Sequence, residues 1–285
     1  GFARCVPLAA NIGGIGTPIG TPPNAIALKY LTGDALISFG TWMAFGVPFV
    51  IVLLLFCWFL LKVSFPASTP AINLQIRGKF LRTPKAITVY ATFVGTVLLW
   101  LTDFLHGMNS YTVALVPVVV FSLTGIINKE DLKKLSWDVL WLVAGGIALG
   151  LGLERTGLAA HVVEAIPFGN FSPWIILVGA SLLSLLMANF MSHTATANLL
   201  LPLVAALAVS VPALQEMGIR TVVLSATFAA SLGMSLPIST PPNALAHATG
   251  LIQTSQMSRM GAIIGVTGVL LTFLMLYLMG LTGFL

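Results

Sequence analysis

Two stretches of this chain carry residues able to do chemistry, and both repeat one pattern. Gly13 to Asn24 reads Gly-Gly-Ile-Gly-Thr-Pro-Ile-Gly-Thr-Pro-Pro-Asn, and Leu236 to Asn243 reads Leu-Pro-Ile-Ser-Thr-Pro-Pro-Asn. Pro18 to Ala25 and Pro237 to Ala244 share Pro-Ile-x-Thr-Pro-Pro-Asn-Ala. Thr21 and Thr240 supply hydroxyls, Asn24 and Asn243 supply amides, and Pro22 and Pro241 stand between them. A third polar cluster, Asn189 to Asn198, carries Met191, Ser192, His193 and Thr194 inside apolar surroundings. None of the three clusters holds Lys, Arg, Asp or Glu. Such a set suits an anion held by hydroxyls, amides and helix N-termini, together with a hard cation held by oxygens. Charges inside a membrane are costly and usually functional, so their absence argues against a proton relay through carboxylates.

The elements that must position these groups follow from the prolines. Each proline lacks an N–H and clashes with the preceding turn, and the residue before it is pushed out of helical geometry. Both motifs therefore predict helices broken in mid-course. A break within lipid leaves backbone groups unpaired, at several kcal/mol each, unless protein, water or ligand satisfies them. Matched breaks in the two halves of a chain are the sequence pointer to a transporter site.

Composition sets the class. Of 285 residues, 58% are hydrophobic and 7% charged, against about 25% charged in a soluble domain. The chain reads as an all-α, multi-pass membrane protein in contact with lipids. Its net charge of +5 is read through the positive-inside rule and not as nucleic-acid binding. Cys5 and Cys57 lie in apolar segments and read as small core residues. The chain begins in mid-pattern at Gly1-Phe2-Ala3-Arg4, so a preceding part is expected.

In order, a helix end over residues 1 to 10 leads into the first break, and a short helix from Asn24 to Leu31 stops at Gly33. Spans are expected at Phe39–Val63, long enough for a hydrocarbon core of about 30 Å, and at Ala86–Leu105, Tyr111–Ile127 (kinked at Pro117), Trp137–Leu153 and Met260–Leu281. Ser64–Lys85 reads as a basic loop, and Glu154–Asn170 as an interfacial segment. From Pro173 to Pro212 the apolar run is interrupted at its centre, and a re-entrant hairpin with its tip at Ser192-His193-Thr194 is favoured over one span with a polar patch. Thr221–Gly250 is the second broken helix. With Ser64–Lys85 inside, Arg4, Lys62, Arg77, Lys79, Arg82, Lys85, Lys129, Lys133, Lys134 and Arg259 fall inside; only Lys29, Arg155 and Arg220 fall outside. The two broken helices then run in opposite directions, as inverted repeats require.

Thr-Pro-Pro-Asn after a Gly-rich stretch, Ser-His-Thr-Ala-Thr-Ala-Asn on a hairpin and a second Thr-Pro-Pro-Asn together resemble the divalent anion/sodium symporter family of di- and tricarboxylate carriers. Trp137 to Gly150 with Thr156-Gly157-Leu158 resembles it too. The resemblance covers essentially the whole chain, from the family's fifth helix onward; the family's first hairpin, with its Ser-Asn-Thr, would precede Gly1. It implies an inverted-repeat, elevator-type transporter with a re-entrant hairpin and two discontinuous helices, acting as a homodimer in the bacterial inner membrane. Residues 1–33 and 136–257 would belong to the transport domain, with the hairpin at about 173–212 and the second broken helix at about 219–250. Residues 34–135 would be mainly scaffold helices and the basic cytoplasmic loop, and 258–285 the final scaffold helix. The implied substrate is a small di- or tricarboxylate of the succinate, malate or citrate class, bound by Thr21, Pro22, Asn24, Ser192, His193, Thr194, Thr240, Pro241 and Asn243. The implied cargo ion is Na⁺, with no organic cofactor, at Gly20 in one site and at Ser239, Met191 and His193 in the other.

Where the family has Ser-Asn-Thr, this chain has Ser192-His193-Thr194, and Ala188 stands where the family often has a hydroxyl. Neutral imidazole offers nitrogen, a poor sodium ligand. Two readings stay open: a protonated His193 replaces an ion, giving proton coupling or exchange, or His193 only donates while sodium binds backbone carbonyls. Sulfate would need the same dipoles and is a further alternative. A membrane enzyme is disfavoured, since His-Glu-x-x-His, paired intramembrane aspartates and Gly-x-Ser-x-Gly are absent. A fragment with no transport of its own is the remaining reading. His106, His161 and His247 read as solvated, interfacial and packing residues.

Overall fold

The computed structural model describes residues 2–66, 80–135 and 171–284, with single positions between 137 and 161. Most of the expected span Trp137–Leu153, of the interfacial segment Glu154–Asn170 and of the basic loop, with Arg77 and Lys79, lies outside the described residues.

Among the described residues all regular structure is helical. The elements are α1 (Phe2–Gly14), α2 (Pro22–Ala27), α3 (Phe39–Ser64), α4 (Pro84–Leu101), α5 (Asp103–His106), α6 (Ser110–Leu123), α7 (Lys129–Lys133), α8 (Pro173–Phe190), α9 (His193–Ser210), α10 (Pro212–Gln215), α11 (Ile219–Ser231), α12 (Pro241–Ala248) and α13 (Thr254–Leu281). Five of them, α3, α4, α8, α9 and α13, are long and apolar enough to cross a membrane. The breaks fall where the prolines put them, between α1 and α2 and between α11 and α12, and the hairpin is α8–α9, with its turn at Met191 and Ser192.

The helix after each break starts earlier than expected. Both α2 and α12 begin on the paired prolines themselves, because a first-turn residue needs no N–H donor and proline's φ already suits a helix. The amides of Ala25 and Ala244 are consequently engaged, donating to Thr21 O at 3.4 Å and Thr240 O at 3.0 Å.

Two compact units are present. The first comprises α1, α2, α3 from Trp42 onward and α8–α13; the second comprises α4–α7 with the first residues of α3. In the first unit α11 is the central post. Every residue from Thr221 to Ser231 is buried, and α11 packs against α2, α8, α9 and α13. Two of its hydroxyls are hidden locally: Ser225 Oγ and Thr227 Oγ1 donate back to Val222 O (2.8 Å) and Val223 O (2.6 Å), the usual way a helix hides a short polar side chain; Ser231 Oγ is buried without a partner. Phe228 on α11 meets Trp42, Phe45 and Phe49 of α3 with ring centroids 5.9, 6.3 and 5.1 Å away. Arg220 straps the unit together at one end: Nε donates to Ala35 O (3.2 Å) and Nη1 to Phe284 O (3.0 Å), with Nη2 on Asp34 O.

In the second unit α4 packs on α6. Phe39 stacks on Trp100 at 5.1 Å, and the Phe39 N–H donates to Asp103 Oδ2 at 2.9 Å. A capping box formed by Asn128 and Asp131 starts α7. The hydrogen bond from Lys134 and then the Asn128 N–H hold the Asp131 carboxyl below the usual carboxylate range.

Candidate functional site

The two Thr-Pro-Pro-Asn segments share one backbone conformation at their caps. Thr21 caps α2 with φ −142° and ψ 145°; Thr240 caps α12 with φ −143° and ψ 150°. One turn on, each Asn is fully buried and reaches back across its own break. Asn24 Nδ2 donates to Ile15 O (3.2 Å) and Thr17 O (2.8 Å). Asn243 Nδ2 donates to the corresponding carbonyls, Met234 O (2.8 Å) and Leu236 O (3.0 Å). The motif's asparagine is thus an internal partner for carbonyls within each break. That answers the requirement that no backbone polar group be left bare in an apolar medium.

The halves cross-pair. The helix before the first break, α1, packs on the helix after the second, α12, while α2 packs on α11, the helix before the second break. One side-chain bond ties the crossing: Asn11 Nδ2 donates to Asn243 Oδ1 at 2.9 Å, buried. The residue in the register of Asn11 in the second copy is Ala230, and Asn24 Oδ1 is buried with no partner. Thr196 Oγ1 and both polar atoms of Asn198, on the second arm of the hairpin, are likewise buried and unpartnered. These are groups a ligand or water can satisfy, and leaving one bare costs about 1–3 kcal/mol.

The hairpin tip docks on the second break. His193, the first residue of α9, is buried, and its Nε2–H donates to Gly233 O at 2.8 Å. Asn189 Oδ1 accepts the Ser235 N–H at 2.7 Å, and its Nδ2 donates to Leu185 O at 2.8 Å. Ser192 Oγ caps α9 by accepting the Ala195 N–H at 3.1 Å, and Met191 closes α8 through its N–H to Met187 O (2.8 Å). Thr194 is buried. Gly20 is exposed and Ser239 buried. Pro22 and Pro241 are exposed at the starts of their helices. So His193, with Asn189, meets the second break, while Ser192 and Met191 bond within the hairpin. Thr21, Asn24 and Gly20 belong to the first, which is held by α3, where Trp42 Nε1 donates to Ile15 O at 3.1 Å. His247 pairs with Thr254 Oγ1 at 3.0 Å, a packing contact.

Asn11, Asn189, Thr196 and Asn198 are polar residues of this constellation that the motif reading did not assign. The signal for three of them was present: an amide or hydroxyl inside the interruption from Asn189 to Asn198. Asn11 offered only a lone amide within an apolar helix.

The profile of a family described as citrate transporter matches residues 2–219. The chain belongs to that family. Among relatives of this citrate-transporter-family chain, a sodium-dependent dicarboxylate transporter of Staphylococcus aureus is 33% identical over 305 residues, covering 94% of this chain and 56% of its own length. A sodium-dependent high-affinity dicarboxylate transporter of Caenorhabditis elegans is 28% identical over 323 residues, covering 96% and 56%. A low-affinity phosphate transporter of Saccharomyces cerevisiae is 32% identical over 256 residues, covering 85% and 28%. The chain spans little more than half the length of the dicarboxylate relatives. The resemblance to di- and tricarboxylate carriers therefore holds: this is a multi-pass integral membrane sequence of the carboxylate-transporter type, and not an enzyme.

Proposed function

We propose that the protein is a secondary active transporter that moves small di- or tricarboxylates of the succinate, malate or citrate class, coupled to sodium, across the bacterial inner membrane. The observation that carries this is the pair of matched breaks, each with a buried Asn bridging its own carbonyls and a Thr at the start of the next helix. Substrate carboxylates are held by Thr21, Asn24, Ser192, His193, Thr194, Thr240 and Asn243, with Pro22 and Pro241 shaping the approach. Sodium is held at Gly20 on the first break, and the second ion that the resemblance places around Ser239, Met191 and His193 is disfavoured by the imidazole, whose Nε2–H is spent on Gly233 O. The Thr21 hydroxyl makes no cap bond within α2, so it is available to a ligand. The cross-pairing of α1 with α12 and of α2 with α11 supports an inverted-repeat plan. In that plan residues 1–33 and 136–257 move as an elevator against a dimeric scaffold of 34–135 and 258–285. The expected preceding hairpin would complete the site.

A proton-coupled carrier or an exchanger is a second reading, favoured by the His193 bond to Gly233 O. The yeast phosphate transporter among the relatives keeps an inorganic oxyanion such as sulfate in view. The test is radiolabelled succinate uptake by the full-length protein in liposomes, with a sodium, potassium or proton gradient. Sodium-driven uptake supports the first reading. Uptake that ignores sodium and follows pH or counter-substrate moves the assignment to the second. No uptake of succinate, nor of malate or citrate tested next, overturns the substrate class and turns the assay to sulfate.

A further inference from the structure

The hairpin tip and the second break are joined by two side-chain hydrogen bonds and two close glycine contacts. Gly233 O, the carbonyl that ends the α11 side of the break, is taken by His193 Nε2–H at 2.8 Å. Its neighbour across the bend, Ser235 N–H, is taken by Asn189 Oδ1 at 2.7 Å. Between them Gly233 packs so tightly on α8 that a Cβ placed there would meet Ala188 Cβ at 2.4 Å and the Ala188 carbonyl carbon at 2.8 Å. On the opposite side Gly261 of α13 presses on the same bend, and a Cβ there would lie 2.5 Å from Met234 O and from Ser235 Cα. Asn189 is itself held by its bond to Leu185 O, so its carbonyl is aimed and not free to rotate.

A cation bridging a hairpin to a helix break does so by collecting carbonyl oxygens from both. Here the leading carbonyl already has a donor. The hairpin residue opposite is imidazole, which presents an N–H to that oxygen and so turns the positive end of a donor, not a ligand oxygen, into the junction. Sodium also prefers oxygen ligands over nitrogen, as hard cations do. We propose that the hairpin tip is fastened to the second break by Asn189 and His193 in place of a bridging cation, so that this half of the site needs no ion to hold its shape. Asn189 is a positioning residue: it acts through the Ser235 amide and not on the substrate. The inference rests on the transporter reading for its consequence, which is that sodium coupling comes from the first break alone.

The experiment is hydrogen exchange on the full-length protein in lipid nanodiscs, in sodium and in potassium, with succinate uptake measured in parallel. In the wild type, exchange over 233–235 and at the hairpin tip is the same in both salts. Asn189→Ala speeds exchange at the Ser235 amide by about tenfold, the effect of losing one buried hydrogen bond, and Asn189→Asp, which keeps an acceptor oxygen but not the donor to Leu185 O, restores part of the protection. His193→Asn makes protection of the tip sodium-dependent and steepens the sodium dependence of uptake. Wild-type protection that rises in sodium as much as that of His193→Asn overturns the proposal. So does an Asn189→Ala protein with unchanged exchange at Ser235. If the wild type moves no carboxylate while the exchange results hold, the transport reading fails and the fastening stands.

Discussion

The two breaks share backbone angles and a bridging asparagine, yet they are fastened by different means. The first is closed by backbone on backbone: a Cβ on Gly20 would lie 2.3 Å from Gly14 O and 2.6 Å from Thr17 Oγ1. The second has Ser239 at the matching position, whose Oγ donates to Leu236 O at 2.6 Å and accepts the Leu236 N–H at 3.2 Å. The hydroxyl has changed places: position 17 carries it in the first copy, position 239 in the second. The second break is also gripped from outside by the hairpin tip and by Asn11, whereas Asn24 Oδ1 has no partner. A repeated motif thus fixes the shape of a break, and its surroundings decide whether its polar atoms are already used or remain for a ligand.

The comparison is broken most directly at Gly20. Gly20→Ser installs the second break's residue in the first and should cost about 3 kcal/mol or more, because backbone must move. Ser239→Gly loses only two local hydrogen bonds and adds a flexible residue, about 1–2 kcal/mol. Thermal unfolding in detergent measures both, and equal losses would mean that the two breaks are interchangeable.

Next come the asparagines. Asn243→Ala removes two carbonyl bridges and strands Asn11, so it should cost about 3 kcal/mol. Asn24→Ala loses similar bridges but also removes an already bare oxygen, and should cost about 1 kcal/mol less. An equal loss in the unliganded protein would show that Asn24 Oδ1 has a partner after all. A ligand that stabilises wild type but not Asn24→Ala would identify what satisfies it.

The smallest effect is at the caps. Thr240 Oγ1 accepts the Asn243 N–H at 3.3 Å, so Thr240→Val should cost about 1 kcal/mol of stability. Thr21 makes no such bond, and Thr21→Val should leave the unfolding midpoint nearly unchanged while raising the KM for uptake. A Thr21→Val protein with normal KM would remove Thr21 from the substrate contacts.

Much of this was legible without coordinates. Paired prolines forbid a continuous helix, and the structure breaks α1–α2 and α11–α12 there. The polar interruption at the centre of 173–212 predicted a break in the helical run, found at Met191 and Ser192 between α8 and α9. Element starts were less legible: Pro22 and Pro241 read as breakers, although proline's missing N–H makes it a good first residue of a helix.

Sequence alone determined the class, the breaks and the polar residue types, because membrane composition and proline sterics act within a few residues of the chain. Only the tertiary structure decided which of those polar groups are spent. Asn11 meets Asn243 across 232 positions, and His193 meets Gly233 across 40. Motif spacing carries no information about such pairings, because they depend on how α1, α9, α11 and α12 pack. The amide oxygen that Asn11 satisfies in Asn243 is left without a partner in Asn24, and the residue in the register of Asn11 in the second copy, Ala230, has no polar side chain.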